Sequence, residues 1–222
     1  LSQEGVALPK PLVQLNGVAM IDRLIRIFME NGADEIVIIV NELNPMTKEH
    51  LLALKAQTNL PLQIVVKTTP SSMHSFYELS PYLDGDKFCL TTVDTIFRED
   101  EFAEFIRFFK ASDADGCMAV TDYIDDEKPL YISTDGQLDI LGFHDERTED
   151  CKYISGGIYC LTPPAIRTLQ GCMDKGMARM RNFQRQLVAD GLKLKAYPFK
   201  KIVDVDHAED IAKAEAFLRG EE

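Results

Sequence analysis

Apolar positions recur along the chain with two periods. Between Val18 and Asn31 the residues Met20, Ile21, Leu24, Ile25, Ile27 and Phe28 share one broad helical face, and Gly32 follows where a C-terminal cap belongs. Ile36–Val40 is an unbroken β-branched run, the pattern of a strand covered on both faces of a parallel sheet. The helical period returns over Lys48–Gln57, a short strand follows over Leu62–Lys67, then a helix over Ser75–Leu83 and a strand over Lys87–Asp94. Glu99–Ala111 reads as an amphipathic helix and Gly116–Tyr123 as another strand. This alternation predicts an α/β fold: an open, mostly parallel mixed sheet flanked by helices, with right-handed crossovers.

The rhythm changes at Tyr131. YISTDGQLDILGF and YISGGIYCL alternate with period two around an Asp135-Gly136 turn signal, which predicts a small antiparallel insertion over about 131–161 beside the main sheet. Helices are expected at Pro163–Met173, Met177–Asp190 and Ala208–Leu218, with a strand at Leu194–Pro198. No period of tens of residues repeats, which excludes solenoids and propellers. The chain has 222 residues, 45% of them hydrophobic, enough for one domain over 1–222 with its own core.

Charge and cysteine usage narrow the function classes. The formal net charge of −12 repels phosphate backbones and anionic bilayers, so neither a nucleic acid nor a membrane is an expected partner. A small anionic ligand is still compatible, because one or two local cations, backbone N–H groups and a divalent metal suffice to hold it. The five cysteines are odd in number, lack CxxC spacing and lie partly in apolar runs, as expected of reduced thiols in a cytoplasmic protein. No signal peptide and no apolar stretch of bilayer length occurs in the sequence. The four histidines are scattered without ligand spacing.

Three segments carry candidate chemistry. Lys10 lies between Pro9 and Pro11, whose fixed φ predicts an ordered, extended, non-helical presentation of its ammonium, suited to a phosphate; a solvated loop residue is the alternative. Asp94 follows the apolar run of KFCLTTVD at the crest of the expected sheet, where its oxygens suit a hard cation; a helix cap or turn role is the alternative. In VDVDHAEDI, Asp204 and Asp206 are two apart, so an extended backbone turns both carboxylates to one side, as paired ligands of a metal require. Asp206 also fits the N-cap of the last helix, with Glu209 three residues on.

In this order, Pro9-Lys10-Pro11-Leu12, Asp94 in VDTIF and Asp204 in DVDHAEDI resemble the nucleotidyltransferase superfamily of sugar-1-phosphate nucleotidyltransferases and phosphocholine cytidylyltransferases. The resemblance implies a Rossmann-like nucleotidyltransferase fold and transfer of a nucleoside monophosphate from an NTP to a sugar phosphate or similar small phosphorylated acceptor, with release of pyrophosphate. It implies Lys10 as the phosphate-neutralising cation and Asp94 and Asp204, with Asp206, as ligands of Mg²⁺. TTPSSMHSFYEL resembles the family segment facing the base, making Ser72 and Ser75 candidates for nucleotide contacts, with helix capping as the alternative. YISGGIYCL resembles the acceptor-side strand, where Gly156 and Gly157 would admit a ligand close to the backbone; a β-bulge is the alternative. The family's AAGxGxRL strand and loop are not found in these residues, and Leu1 coincides with its last leucine, so further residues ahead of Leu1 are expected to supply them. A nucleotide-binding or nucleotide-sugar-binding module without turnover stands as the alternative function. ILGFHDER, Ile140–Arg147, departs from the glutamate-lysine pair of many sugar-phosphate members and leaves room for a different acceptor.

Overall fold

The computed structural model describes residues Leu1–Glu221, which divide into two compact units. One is made from both ends of the chain, Leu1–Pro70 with the segment from Asp204 onward; the other is the continuous stretch Ser71–Val203.

In the first unit Lys10–Leu12 is a single turn of 3-10 helix, with Leu12 N–H donating to Pro9 O at 2.9 Å and Val13 N–H to Lys10 O at 3.1 Å. The extended presentation expected between the two prolines is therefore not what forms. Pro11 occupies the first turn, where a missing N–H is no loss and φ near −65° already suits the turn. An antiparallel hairpin follows, β1 (Gln14–Leu15) and β2 (Val18–Ala19), turning through Asn16 and Gly17 at φ 50° and 83°. Those angles explain the Asn-Gly pair, since only such residues enter a left-handed two-residue turn cheaply. Helix α1 (Met20–Glu30) starts two residues later than its apolar pattern, because Val18 and Ala19 are taken up by the hairpin. Gly32, at φ 85°, ends it with its N–H on Met29 O. Strands β3 (Ile36–Val40) and β4 (Leu62–Val66) pair in parallel around helix α2 (Met46–Thr58). Only Ile36 and Val40 of β3 are buried, so the run is less covered than its composition suggests.

The second unit begins with helix α3 (Ser72–Leu79), three residues earlier than expected because Ser71 supplies the cap, its Oγ accepting from His74 N–H. Strand β5 (Phe88–Thr91) stops three residues short of Asp94 and is followed by the short β6 (Thr95–Ile96) and helix α4 (Glu99–Ala111). Lys87 closes the C-terminus of α4, donating to Phe109 O, Lys110 O and Ser112 O at 2.7, 3.1 and 2.8 Å, a cation at the negative end of the helix dipole. Next come β7 (Gly116–Thr121), β8 (Tyr131–Thr134), β9 (Ile140–His144) and β10 (Tyr153–Leu161). Helices α5 (Pro163–Asp174) and α6 (Met180–Ala189) lead to β11 (Leu194–Phe199), and β12 (Val203–Asp204) ends the unit at Val203. Helix α7 (Ala208–Leu218) belongs to the first unit, where Asn16 N–H donates to Glu215 Oε2 at 2.8 Å and Arg219 Nη1 to Asn16 Oδ1 at 2.8 Å.

Six strands of the second unit form one mixed sheet, ordered β11-β7-β10-β8-β9 with β5 also on β10. β11 runs parallel to β7 and the remaining pairs are antiparallel, so β8 and β9 continue the sheet through β10. Both faces are covered. One carries Met118, Val120, Ile132, Leu161 and Ala196 against Phe76, Leu169, Phe183 and Leu187 from the helices. The other carries an aromatic cluster in which Phe97 stacks on Phe102 at 4.8 Å and Phe105 meets Phe199 edge-on at 5.5 Å. Pro198 is tolerated because β11 is an edge strand.

Candidate active-site residues

In the first unit, Lys10 opens the 3-10 turn and its Nζ lies 3.6 Å from Asp206 Oδ1, with the lysine side chain 34% and the aspartate 61% exposed. Asp204 and Asp206 are exposed while Val203 and Val205 are buried, the period-two alternation of an extended segment, so both carboxylates lie on the solvent side. Asp206 is not the N-cap of the last helix. That place belongs to His207, and Asp210, not Glu209, closes the box, its Oδ2 accepting from Asp206 N–H at 3.0 Å and His207 N–H at 2.8 Å. A one-residue shift of the helix start leaves the Asp206 carboxylate beside Lys10. Glu4 Oε1 braces the same helix start by accepting from Ala208 N–H at 3.3 Å.

In the second unit, Asp94 is half-buried in the turn between β5 and β6. Ser72 is the exposed first residue of α3 and Ser75 is half-buried on the same helix. The cap that both could have supplied comes from Ser71, whose Oγ lies 2.7 Å from His74 Nδ1 and accepts from Arg179 N–H at 3.4 Å. Sequence reading passed over Ser71, although its place before the apolar period of Met73 and Phe76 is a helix-start signal.

Gly156 and Gly157 sit where β10 changes partners. One edge of β10 pairs with β7, whereas the other meets β8 at Tyr153 and Ile154 and β5 from Ile158 to Leu161. The β7 register breaks between Ser155 and Tyr159, a β-bulge. A Cβ on Gly156 would stand 2.4 Å from Ile202 Cδ1 and 3.0 Å from Ala119 O, so close packing explains that glycine. Gly157, at φ 78°, supplies the left-handed backbone of the bulge.

The Ile140–Arg147 stretch shows a further constellation that the sequence did not reveal. Asp145 Oδ1 is shared by Arg181 Nη1 and Arg185 Nη2, each at 2.7 Å, from one face of α6. The hydrogen bond from Arg185, then that from Arg181, holds this exposed carboxyl below the usual carboxylate range. Among the described residues no three His, Cys, Asp or Glu side chains gather as a preformed metal cage. Mg²⁺ does not need one: it is commonly held by one or two carboxylates, substrate phosphates and water, and the exposed Asp204 and Asp206 fit that donor chemistry.

The fold recurs in solved structures. The inositol-1-phosphate CTP transferase from T. maritima is similar with a TM-score of 0.80 at 16% identity, covering 99% of this chain and 91% of that one. HddC from Yersinia pseudotuberculosis gives 0.71 at 19% identity, over 96% and 91%. A proposed glucose-1-phosphate thymidylyltransferase from Bacillus anthracis, in complex with sucrose, gives 0.81 at 13% identity, over 96% and 87%. No curated protein matches the sequence. The Nucleotidyl transferase family model matches residues 5–221, and the chain belongs to that family. It is a nucleotidyltransferase of α/β fold.

Proposed function

We propose that this protein is a Mg²⁺-dependent enzyme that moves a nucleoside monophosphate from an NTP onto a sugar phosphate or a related small phosphorylated alcohol. The observation that carries the reading is the exposed Asp204–Asp206 pair with the Lys10 ammonium 3.6 Å from Asp206, in segments whose sequence resembles motifs of the family. Asp204 and Asp206 in the first unit are carboxylates that would hold a metal, and Asp94 is the metal-holding candidate of the second; the metal would supply charge neutralisation on the phosphates when bound. Lys10 exchanges its Asp206 partner for phosphate oxygens. An oxygen of the acceptor phosphate attacks the α-phosphorus, and the bond to pyrophosphate breaks. Both groups are anionic, so the residues act by positioning and by spreading negative charge, with no protein nucleophile. Ser72 and Ser75 serve the nucleotide, and Gly156 and Gly157 lie on the acceptor side. Arg181 and Arg185 favour an anionic acceptor near the Asp145 stretch.

Pyrophosphate release from each of the four NTPs tests the reading against inositol-1-phosphate, hexose-1-phosphates and phosphocholine. Activity with one pair, abolished by EDTA and restored by Mg²⁺, is the expected result. Nucleotide binding without release for every pair would establish a binding module instead.

A further inference from the structure

Three threonines bracket Asp94, and each hydroxyl has a defined partner. Thr92 Oγ1 and Thr95 Oγ1 lie 2.9 Å apart, one donating to the other across the turn that contains Val93 and Asp94. The backbone closes the same turn less tightly, Thr95 N–H reaching Thr92 O at 3.5 Å. Thr91 Oγ1 donates to Gly157 O at 3.1 Å, at the bulge where β10 changes partners. Thr95 is buried and Thr92 exposed. A Cβ on Gly157 would come within 3.3 Å of Thr95 Oγ1, so the bulge and the turn are fitted to one another.

Local propensity opposes this turn. Thr91-Thr92-Val93 is a β-branched run that favours extended backbone, and Asp94 is the one residue of turn chemistry after it, with neither Gly nor Pro beside it. The hydroxyl bonds help offset the preference of the β-branched run, and they occur on both sides of the one carboxylate in the segment.

We propose that Thr92 and Thr95 form a clasp that positions Asp94, and that Thr91 ties the clasp to the β10 bulge. The proposal rests on the reading of Asp94 as a metal-holding residue. Outer partners that orient a ligating carboxylate contribute about 10–100-fold to metal affinity, which sets the size of the expected effect.

The test uses the full-length protein and Mn²⁺ as the probe, with binding in the presence of NTP followed by electron paramagnetic resonance beside kcat and the KM for NTP. Thr95→Val keeps the side-chain volume and removes the hydroxyl. Its former partner Thr92 is exposed and can turn to water, so the fold should persist. Thr95→Val is expected to weaken Mn²⁺ binding about tenfold or more and lower kcat, with the KM for NTP nearly unchanged; Thr95→Ser should restore both. Thr92→Val, at a position where folding is not at risk, removes the other half of the same bond. It should reproduce Thr95→Val, and the double variant should be no worse than either single one. Asp94→Asn separates the two levels of inference. If it loses Mn²⁺ and turnover while Thr92→Val and Thr95→Val match the wild type, the clasp is refuted and the role of Asp94 stands. If Asp94→Asn itself behaves as wild type, the reading of Asp94 falls and the clasp with it.

Discussion

The role proposed for Lys10 sets its value to stability apart from its value to catalysis. Its ion pair with Asp206 joins two side chains that water reaches, and such pairs contribute only ~0–1 kcal/mol to folding. In the role proposed for it, against the phosphates of a bound NTP, the same ammonium would act with little water between, where losing a preorganised partner costs about 10²–10³ in rate. Lys10→Met should therefore lower kcat/KM for pyrophosphate release by about 10² or more and move Tm by no more than a few degrees. Unchanged kinetics would remove Lys10 from the site. The adjacent glycines of β10 make the opposite case. Gly156→Ala drives a methyl into Ile202 and the Ala119 carbonyl and should cost about 1–3 kcal/mol in urea denaturation. Gly157→Ala meets only the Thr95 side chain, but it places a Cβ on left-handed backbone, at roughly 1–2 kcal/mol. The first loss comes from packing and the second from conformation, so Ile202→Val should partly relieve Gly156→Ala and leave Gly157→Ala unaltered.

At the scale of elements, burial sets a pH dependence. Cys160 on β10 and Cys117 on β7 are paired in register, and burial raises both thiols above their ordinary value near 9. For Cys160 the neighbouring Cys89 adds to the effect. The unfolded chain ionises these thiols first, so their contribution to stability is complete below about pH 8.5 and is lost as pH rises toward their folded-state values. The urea midpoint should fall between pH 8 and pH 10, and Cys117→Ala should flatten that slope even though it lowers stability at pH 7. Elements with a long, unambiguous period were legible in the sequence: α4 and α7 have the limits that their apolar faces give. Short or compensated elements were not. Two-residue strands such as β1 and β2 hold too few positions to display a period, so Val18 and Ala19 of β2 read as the start of the helix after them. Asp94 follows Thr91, Thr92 and Val93, which carry strand propensity, but the strand stops at Thr91 and the Thr92–Thr95 hydroxyl bond, with the Thr91 hydroxyl on the distant Gly157 carbonyl, accompanies a turn that no local period announces. The pairing of Asp145 with Arg181 and Arg185 joins positions dozens of residues apart, which no local pattern reports.

Over the whole molecule, the net charge of −12 strains the compact state by self-repulsion, which salt screens. Raising NaCl from 20 to about 300 mM should raise Tm, and a fall would show that specific ion pairs outweigh the repulsion. The division into a continuous unit and one assembled from both chain ends yields a second prediction. Removing the residues from Asp204 onward strips the first unit of buried Val205, Ala214 and Phe217, and of the α7 bonds to Asn16. Amide exchange should then lose protection over Leu1–Pro70 and keep it across the β7–β10–β11 sheet. The same division sets an order of events on the ribosome. Ser71–Val203 leaves the exit tunnel with its sheet complete, whereas Leu1–Pro70 must wait for the segment from Asp204 onward, which is made later. At about 5–20 residues per second, the nascent Leu1–Pro70 segment spends roughly 7–30 seconds without the helix that packs with it, a window in which chaperone capture or aggregation competes with folding. Rare codons placed late in the message would lengthen that exposure while leaving the protein sequence untouched.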